Sequence, residues 1–180
     1  RDNKTLFSAD AYSQIYNGHN SFGRTYGEHR EALELEPGFM RELKSECRNN
    51  NVAFMATPFD EVSLDVLLDN GVDILKIASF DLGNLPFIAQ ISRSGLPIVL
   101  SVGGGQIQHI RSSYETIKSV TNAPITILHC VSEYPCDYDR LGLRNIPVLK
   151  EHFPDATIGL SDHFNGTLSG PIGYLMGART

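Results

Sequence analysis

Lys76, Ser79, Asp81 and Asn84 place a cation, a hydroxyl, a carboxylate and an amide within nine residues of one another. They follow and overlap the apolar run Ile74 to Ile77, which is flanked by turn residues and reads as a buried strand. An amine inside such a run needs a partner or a ligand to offset its lost hydration. In a parallel α/β protein the C-terminal end of a strand is where ligands bind. The same residues also admit a purely structural reading, with Lys76 snorkelling from a strand edge and Asp81 and Asn84 capping the next helix.

Similar groups close the other apolar runs. Thr57 follows the first, Ser101 the third, Ser132 and Tyr134 the fourth, and Ser161 and His163 the fifth. Hydroxyls, a lysine and the turn Gly103-Gly104-Gly105, with free backbone N–H groups, suit a phosphate or a similar anion. Asp81 and His163 would suit a shared divalent metal, as a hard carboxylate with an imidazole. Serines and threonines at strand ends also serve as helix caps, so no single one decides the matter.

The elements that must position these residues repeat. Val52 to Ala56 reads as a strand, followed by a helix from Val62 to Asp69 that Asn70-Gly71 closes. Strand 74–77 precedes a helix from about Leu85 to Arg93, and strand Ile98 to Leu100 a helix from about Ile107 to Val120. Strand Ile125 to Cys130, a helix around Ile146 to His152, strand Thr157 to Leu160 and a last helix from about Leu168 to Gly177 complete the series. Strands alternating with helices at this spacing predict a parallel sheet, either doubly wound or part of a (β/α)8 barrel. The dinucleotide fingerprint is absent, because the glycine triplet lacks its later spaced glycine. A polar residue at every strand end favours the barrel, whose strand ends converge on one axis. Upstream, residues 1–35 show no period and predict a loop with Tyr12, Tyr16, Phe22 and Tyr26, ordered as a lid or substrate loop. Glu36-Pro37 opens a helix carrying Phe39, Leu43 and Cys47, so the barrel domain is expected over 36–180.

Bulk properties bound the remaining possibilities. A chain of 180 residues with 41% hydrophobic and 20% charged content suits one soluble domain. A net charge of −6 without a basic run argues against nucleic acid as a partner. No apolar stretch approaches a membrane span, and the N-terminal residues lack a signal-peptide core. Three widely spaced cysteines, Cys47, Cys130 and Cys136, predict reduced thiols in a cytoplasmic protein.

The order of the motifs is more specific than any one of them. Ala-Thr-Pro-Phe-Asp at 56–60, Lys-Ile-Ala-Ser-Phe at 76–80 and Asn84-Leu-Pro are followed by Gly-Leu-Pro-Ile-Val-Leu-Ser at 95–101. Leu-His-Cys-Val-Ser-Glu-Tyr-Pro at 128–135 and Gly-Leu-Ser-Asp-His at 159–163 come next. This set resembles the N-acetylneuraminate (sialic acid) synthase family, with its legionaminate and pseudaminate relatives, over about residues 36–180 and more loosely upstream. The resemblance implies a (β/α)8 barrel that condenses phosphoenolpyruvate with an N-acetylated amino sugar such as N-acetylmannosamine. It releases phosphate and forms a nine-carbon 2-keto acid, with Mn²⁺ or Mg²⁺ polarising the sugar aldehyde. By that resemblance Thr57, Lys76, Ser79, Ser101, Ser132 and Ser161 hold phosphoenolpyruvate, and Tyr134 touches the sugar. His163 is a metal ligand, Asp81 approaches the metal through water, and Lys76, Ser79 and Asp81 form the catalytic set. Where the family often shows Ser-Thr-Gly-Met, this chain has Ser101-Val102-Gly103-Gly104, which removes a hydroxyl.

The resemblance also implies that the five strands are the third to the seventh of the barrel. Strands 1, 2 and 8 and the C-terminal antifreeze-like domain of a homodimeric full-length form would then lie outside this sequence, leaving it inactive alone. Two other readings remain: a class I aldolase with Lys76 as Schiff-base amine, and a partial barrel that binds phosphosugars without turnover.

Overall fold

The computed structural model describes residues 1–180, the Pro37 side chain excepted. The chain divides into two compact units, 1–72 and 73–180.

The first unit holds α1 (Asn3–Leu6), α2 (Ala9–Ser13), α3 (Tyr26–Ala32), α4 (Pro37–Asn49), β1 (Met55–Ala56) and α5 (Glu61–Asp69). The expected loop over residues 1–35 is therefore partly helical. Each of its helices is too short to show a 3.6-residue period and is started by a cap. Asp2 accepts from the Lys4 N–H at 3.1 Å and Ser8 from the Ala11 N–H at 3.3 Å. Thr25 and Glu28 form a reciprocal capping box. The aromatic residues do order this segment: the Tyr16 and Phe22 rings lie 4.5 and 5.9 Å from the His29 ring. Strand β1 is shorter than the apolar run that predicts it, with Val52 and Met55 both exposed. After it, Asp60 caps α5, accepting from the Ser63 N–H at 2.7 Å.

The second unit is built from β2 (Ile74–Ile77), α6 (Leu85–Ser92), β3 (Ile98–Ser101), α7 (Ile107–Val120), β4 (Ile125–Cys130), α8 (Asn145–His152), β5 (Thr157–Ser161) and α9 (Ser169–Leu175). All its strand pairs are parallel, and β2, β3, β4 and β5 lie side by side in chain order. A doubly wound sheet reverses direction at a switch point. This one never does, so every crossover steps the same way, as in a (β/α)8 barrel of the TIM type. Arg179 and Thr180 continue the pattern along the outer edge of β5: the Arg179 N–H donates to Ile158 O and the Leu160 N–H to Thr180 O, both at 2.8 Å. Gly159 is needed there, because a Cβ would sit 2.6 Å from Thr180 O.

Register separates the two faces of the sheet. One row alternates through Leu75, Ile77, Ile98, Leu100, Ile127 and Ile158, all buried, and includes His129 and Leu160. Leu160 packs against Gly173 of α9, and His129 lines a cavity with Ile110 of α7 and Leu149 of α8, so this is the helix side. The opposite row carries Lys76, Val99, Ser101, Thr126, Leu128, Cys130, Gly159 and Ser161. That is the face a barrel turns inward. The Asn70-Gly71 and Ser94-Gly95 stops hold as predicted, with both glycines at left-handed φ of 69° and 70°.

Candidate active site at the strand ends

Gly103, one residue beyond the end of β3 plus a turn position, is the point on which three strand ends converge. Its N–H donates to Ser79 Oγ at 2.9 Å. A Cβ placed on it would collide with the Ser132 hydroxyl and stand 3.0 Å from Ser79 Oγ and 3.1 Å from Cys130 Sγ. The ends of β2, β3 and β4 thus bring Ser79, Gly103, Cys130 and Ser132 into one cluster.

None of Ser79, Ser101, Ser132 and Ser161 is spent on a helix cap. Helices α6 to α9 all begin without a side-chain cap bond. Because Ser79 Oγ accepts from Gly103, its own O–H remains to donate. Among the described residues, the Lys76 ammonium and the Ser101, Ser132 and Ser161 hydroxyls make no hydrogen bond to protein groups. Lys76, Ser101 and Ser161 share the inward row. Thr57 belongs to the first unit, where it lines a cavity of about 460 Å³ with Phe59 and Arg30.

The glycine turn differs from the sequence expectation. Two of its three N–H groups are occupied: Gly103 donates to Ser79, and Gly105 to Val102 O at 3.1 Å. The turn closes on itself, so it acts as a close-approach site more than as an anion cradle.

Asp81 ends a 3₁₀ turn, Ser79–Asp81, and is 3% exposed. Its Oδ1 accepts from Asn84 Nδ2 at 3.3 Å. Asn84 stands at the N-cap of α6 but makes no capping bond, reaching back to Asp81 instead. The capping explanation for this pair therefore fails at Asn84.

His163 follows β5 and is held from several sides. Its Nδ1 lies 2.8 Å from Val131 O. A carbonyl only accepts, so Nδ1 carries the proton and Nε2 keeps its lone pair. The Tyr134 ring packs 4.1 Å away, centroid to centroid, while Tyr134 itself stays 74% exposed. The Cys136 N–H donates to His163 O at 2.9 Å. Cys130 Sγ lies 3.9 Å from His163 Nδ1, which joins the histidine to the cluster around Gly103.

An imidazole with its proximal nitrogen anchored on a carbonyl and its distal one without a protein partner among the described residues is what a metal ligand requires, so His163 fits a divalent ion. Asp81 stands three strand spacings away along the sheet, each about 4.8 Å. Among the described residues no group of three or more His, Cys, Asp or Glu side chains gathers to hold a metal.

Sequence reasoning missed several participants. Cys130 reads as an ordinary buried strand residue, and the Val131 carbonyl has no side-chain signal at all. Asp162, within Ser-Asp-His, accepts from the Phe164 N–H at 2.9 Å and from the Ser169 hydroxyl. All three cysteines are free thiols, and burial pushes the Cys136 thiol up from its usual range. A cavity of about 510 Å³ lies on the helix side of the second unit, between α7, α8 and the loop after β4. It touches Ser132 and Cys130 but none of the other inward groups.

Comparison with known proteins gives a consistent picture. A model of the NeuB family matches residues 1–180. The chain is 34% identical over 173 residues to the N-acetylneuraminate-9-phosphate synthase of Drosophila melanogaster, covering 96% of this chain and 46% of that protein. It is 33% identical over 138 residues to the N,N'-diacetyllegionaminic acid synthase of Campylobacter jejuni, covering 76% and 41%. Among solved structures, the N-acetylneuraminic acid (sialic acid) synthetase of Leptospira borgpetersenii, in complex with citrate, superimposes with a TM-score of 0.80 at 33% identity, covering 87% and 55%. The chain therefore spans about half the length of the relatives it matches.

Proposed function

The chain belongs to the NeuB family, and from that premise we propose that it supplies the inward strand ends of a barrel that condenses phosphoenolpyruvate with an N-acetylated amino sugar. In this reaction C3 of the enol phosphate forms a bond to the sugar aldehyde carbon, and the aldehyde oxygen takes up a proton. Water adds at C2 and loses a proton, and the C2–O bond to the phosphoryl group breaks. Phosphate leaves, and a nine-carbon 2-keto sugar acid remains.

The observation that carries this reading is the convergence of Ser79, Ser132 and Cys130 on Gly103, on the same sheet as the inward Lys76. Phosphoenolpyruvate is close to a trianion, so its site needs a cation and neutral donors rather than carboxylates. Lys76 provides the countercharge. The hydroxyls of Ser79, Ser101, Ser132 and Ser161 provide donors. Ser79 is the best oriented of these, because the Gly103 N–H fixes its oxygen and leaves its proton to the ligand. Tyr134, exposed and stacked on His163, offers a face and a hydroxyl to the sugar.

His163 through Nε2, with Asp81 through water, would hold Mn²⁺ or Mg²⁺, which as a Lewis acid supplies polarisation of the aldehyde. Val131 keeps the imidazole in the tautomer that such binding needs. Asp81, buried and hydrogen-bonded by Asn84, would accept the proton that the captured water loses.

The test is phosphate release from phosphoenolpyruvate by the intact protein with a panel of N-acetyl hexosamines and their 6-phosphates, analysed together with the keto acid formed. Release that depends on one sugar and matches the keto acid mole for mole is expected. Release without keto acid, no release with any sugar, or trapping of Lys76 on a ketone by borohydride would overturn it, the last in favour of an aldolase.

A further inference from the structure

Ser169 is fully buried at the first turn of α9, and its hydroxyl donates to Asp162 Oδ2. The other carboxylate oxygen, Oδ1, accepts from the Phe164 N–H at 2.9 Å. Asp162 thus bridges across His163: one oxygen grips the residue after it, and the other ties the turn to a helix. That helix is anchored in turn, because Gly173 of α9 packs directly on Leu160 of β5. On the far side of His163, Phe164 pairs with Cys136 in a parallel bridge, and the Cys136 N–H holds His163 O.

We propose that Ser169, acting through Asp162, is the positioning residue that aims His163 Nε2 into the site. The proposal rests on the reading of His163 as a metal ligand. Among the described residues, the hydrogen-bond contacts of the imidazole itself are both at Nδ1, with Val131 O at 2.8 Å and Cys130 Sγ at 3.9 Å. Contacts at Nδ1 fix the tautomer, but the direction in which Nε2 points also follows the backbone that carries the ring. The backbone direction at 162–164 is set by the Asp162 bridge and the pairing with Cys136. The hydroxyl of Ser169 links that bridge to a packed helix. Without it, Asp162 Oδ2 turns to solvent and the turn loses its reference to α9. Groups that orient a metal ligand change affinity by roughly 10- to 100-fold when removed. Ser169 acts one step further back, so the lower end applies.

The experiment compares Ser169→Ala, Asp162→Asn and His163→Ala in the intact protein. Mn²⁺ alone is titrated with detection of the free ion, and phosphoenolpyruvate binding is measured in the absence of metal. Thermal melting serves as the folding control, and the His163 ring nitrogens are followed by ¹⁵N NMR. Ser169→Ala is expected to weaken Mn²⁺ binding about tenfold. Phosphoenolpyruvate binding should stay within about twofold, and the Nδ1–H signal should broaden toward a mixture of tautomers. Asp162→Asn keeps one acceptor and should fall between Ser169→Ala and wild type. If His163→Ala abolishes Mn²⁺ binding while Ser169→Ala leaves it within about twofold, the positioning role is wrong and the metal reading stands. If His163→Ala binds Mn²⁺ as wild type does, the metal reading itself falls. Should Ser169→Ala fail to fold, Asp162→Asn at its exposed position decides, and unchanged Mn²⁺ affinity there overturns the proposal.

Discussion

Adding one methyl group at Gly103 probes the convergence of the strand ends directly. Gly103 does not occupy a left-handed backbone conformation, so alanine there carries no torsional penalty. The entire cost arises from the space it would fill. Its Cβ would collide with the Ser132 hydroxyl and meet Ser79 Oγ at 3.0 Å and Cys130 Sγ at 3.1 Å. Overpacking of this kind costs about 1–3 kcal/mol. In a chain of this size each kcal/mol lowers Tm by about 2–4 °C, so a drop of about 2–12 °C follows. The stress falls on the hydroxyls read as phosphoenolpyruvate donors, so the substrate KM should rise in parallel.

Gly104→Ala is the control. Nothing lies within 4 Å of a Cβ there, but φ is +72°, so its cost is backbone strain of about 1–2 kcal/mol and leaves the hydroxyls in place. Differential scanning fluorimetry and phosphoenolpyruvate binding on both variants, with Gly103→Ala/Ser132→Gly as the relief mutant, complete the assay. The double variant should recover most of the stability lost in Gly103→Ala. If Gly103→Ala melts and binds like wild type, or if removing the Ser132 side chain recovers nothing, the three strand ends do not meet at Gly103.

Replacing Lys76 with alanine should weaken phosphoenolpyruvate binding by about 2–4 kcal/mol, because the anion loses its countercharge. Arginine should restore it only in part, since a planar fork replaces a point charge, and calorimetry on both variants checks this. Tyr134→Phe should raise the sugar KM and leave that of phosphoenolpyruvate nearly unchanged; equal effects in steady-state kinetics would return Tyr134 to loop packing. Asp60→Ala should cost about 1 kcal/mol through the lost cap on α5. Burial raises the Asp60 pKa, but hydrogen bonds from the Ser63 hydroxyl, the Ser63 N–H and the Asp2 N–H outweigh it and hold the carboxyl below its ordinary value. Its stabilisation is therefore full above the unfolded carboxyl pKa and is lost as pH falls through the lower folded value. Acid melts should show that loss in wild type and not in Asp60→Asn.

Regular elements of the second unit were legible because their signals are local. Helix α7 and strand β4 run over the residues their apolar periods predict, 107–120 and 125–130. Strand β1 was legible only in part: of the apolar run 52–56, Val52 and Met55 are exposed while Phe54 is buried, and only Met55–Ala56 forms the strand. The short helices α1 and α2 left only their capping residues as a trace. At the site, the inward row could be read from strand parity, which is why Lys76, Ser101 and Ser161 share a face. The partners of His163 could not be read. Val131 acts through a carbonyl 32 residues away, and Cys136 through an N–H, and backbone groups leave no mark in residue type. The Gly103 N–H was misread for the same reason, because its acceptor, Ser79, lies 24 residues upstream.

The two histidines at these strand ends illustrate how parity assigns chemistry. His129 belongs to the helix-side row of β4 and is buried, with Nε2 2.7 Å from Leu141 O. The carbonyl requires the proton on Nε2, so the ring is spent tethering the loop that leads into α8. His163 lies beyond the inward end of β5, with its proton on Nδ1 against Val131 O and Nε2 left over. Both rings give one N–H to a carbonyl of the segment between β4 and α8, and they differ in which nitrogen does so. Nε2 projects furthest from the backbone, so a histidine that gives it to a carbonyl becomes a strut. One that keeps it offers a lone pair at full reach. Cys130 beside His129 makes the same contrast across a single peptide bond, since the next residue along a strand faces the other way. A one-residue slip of β4 would therefore exchange the strut for the thiol at the Gly103 cluster. The pairing of β4 with β3 and β5, over four and five residue pairs, is what prevents it.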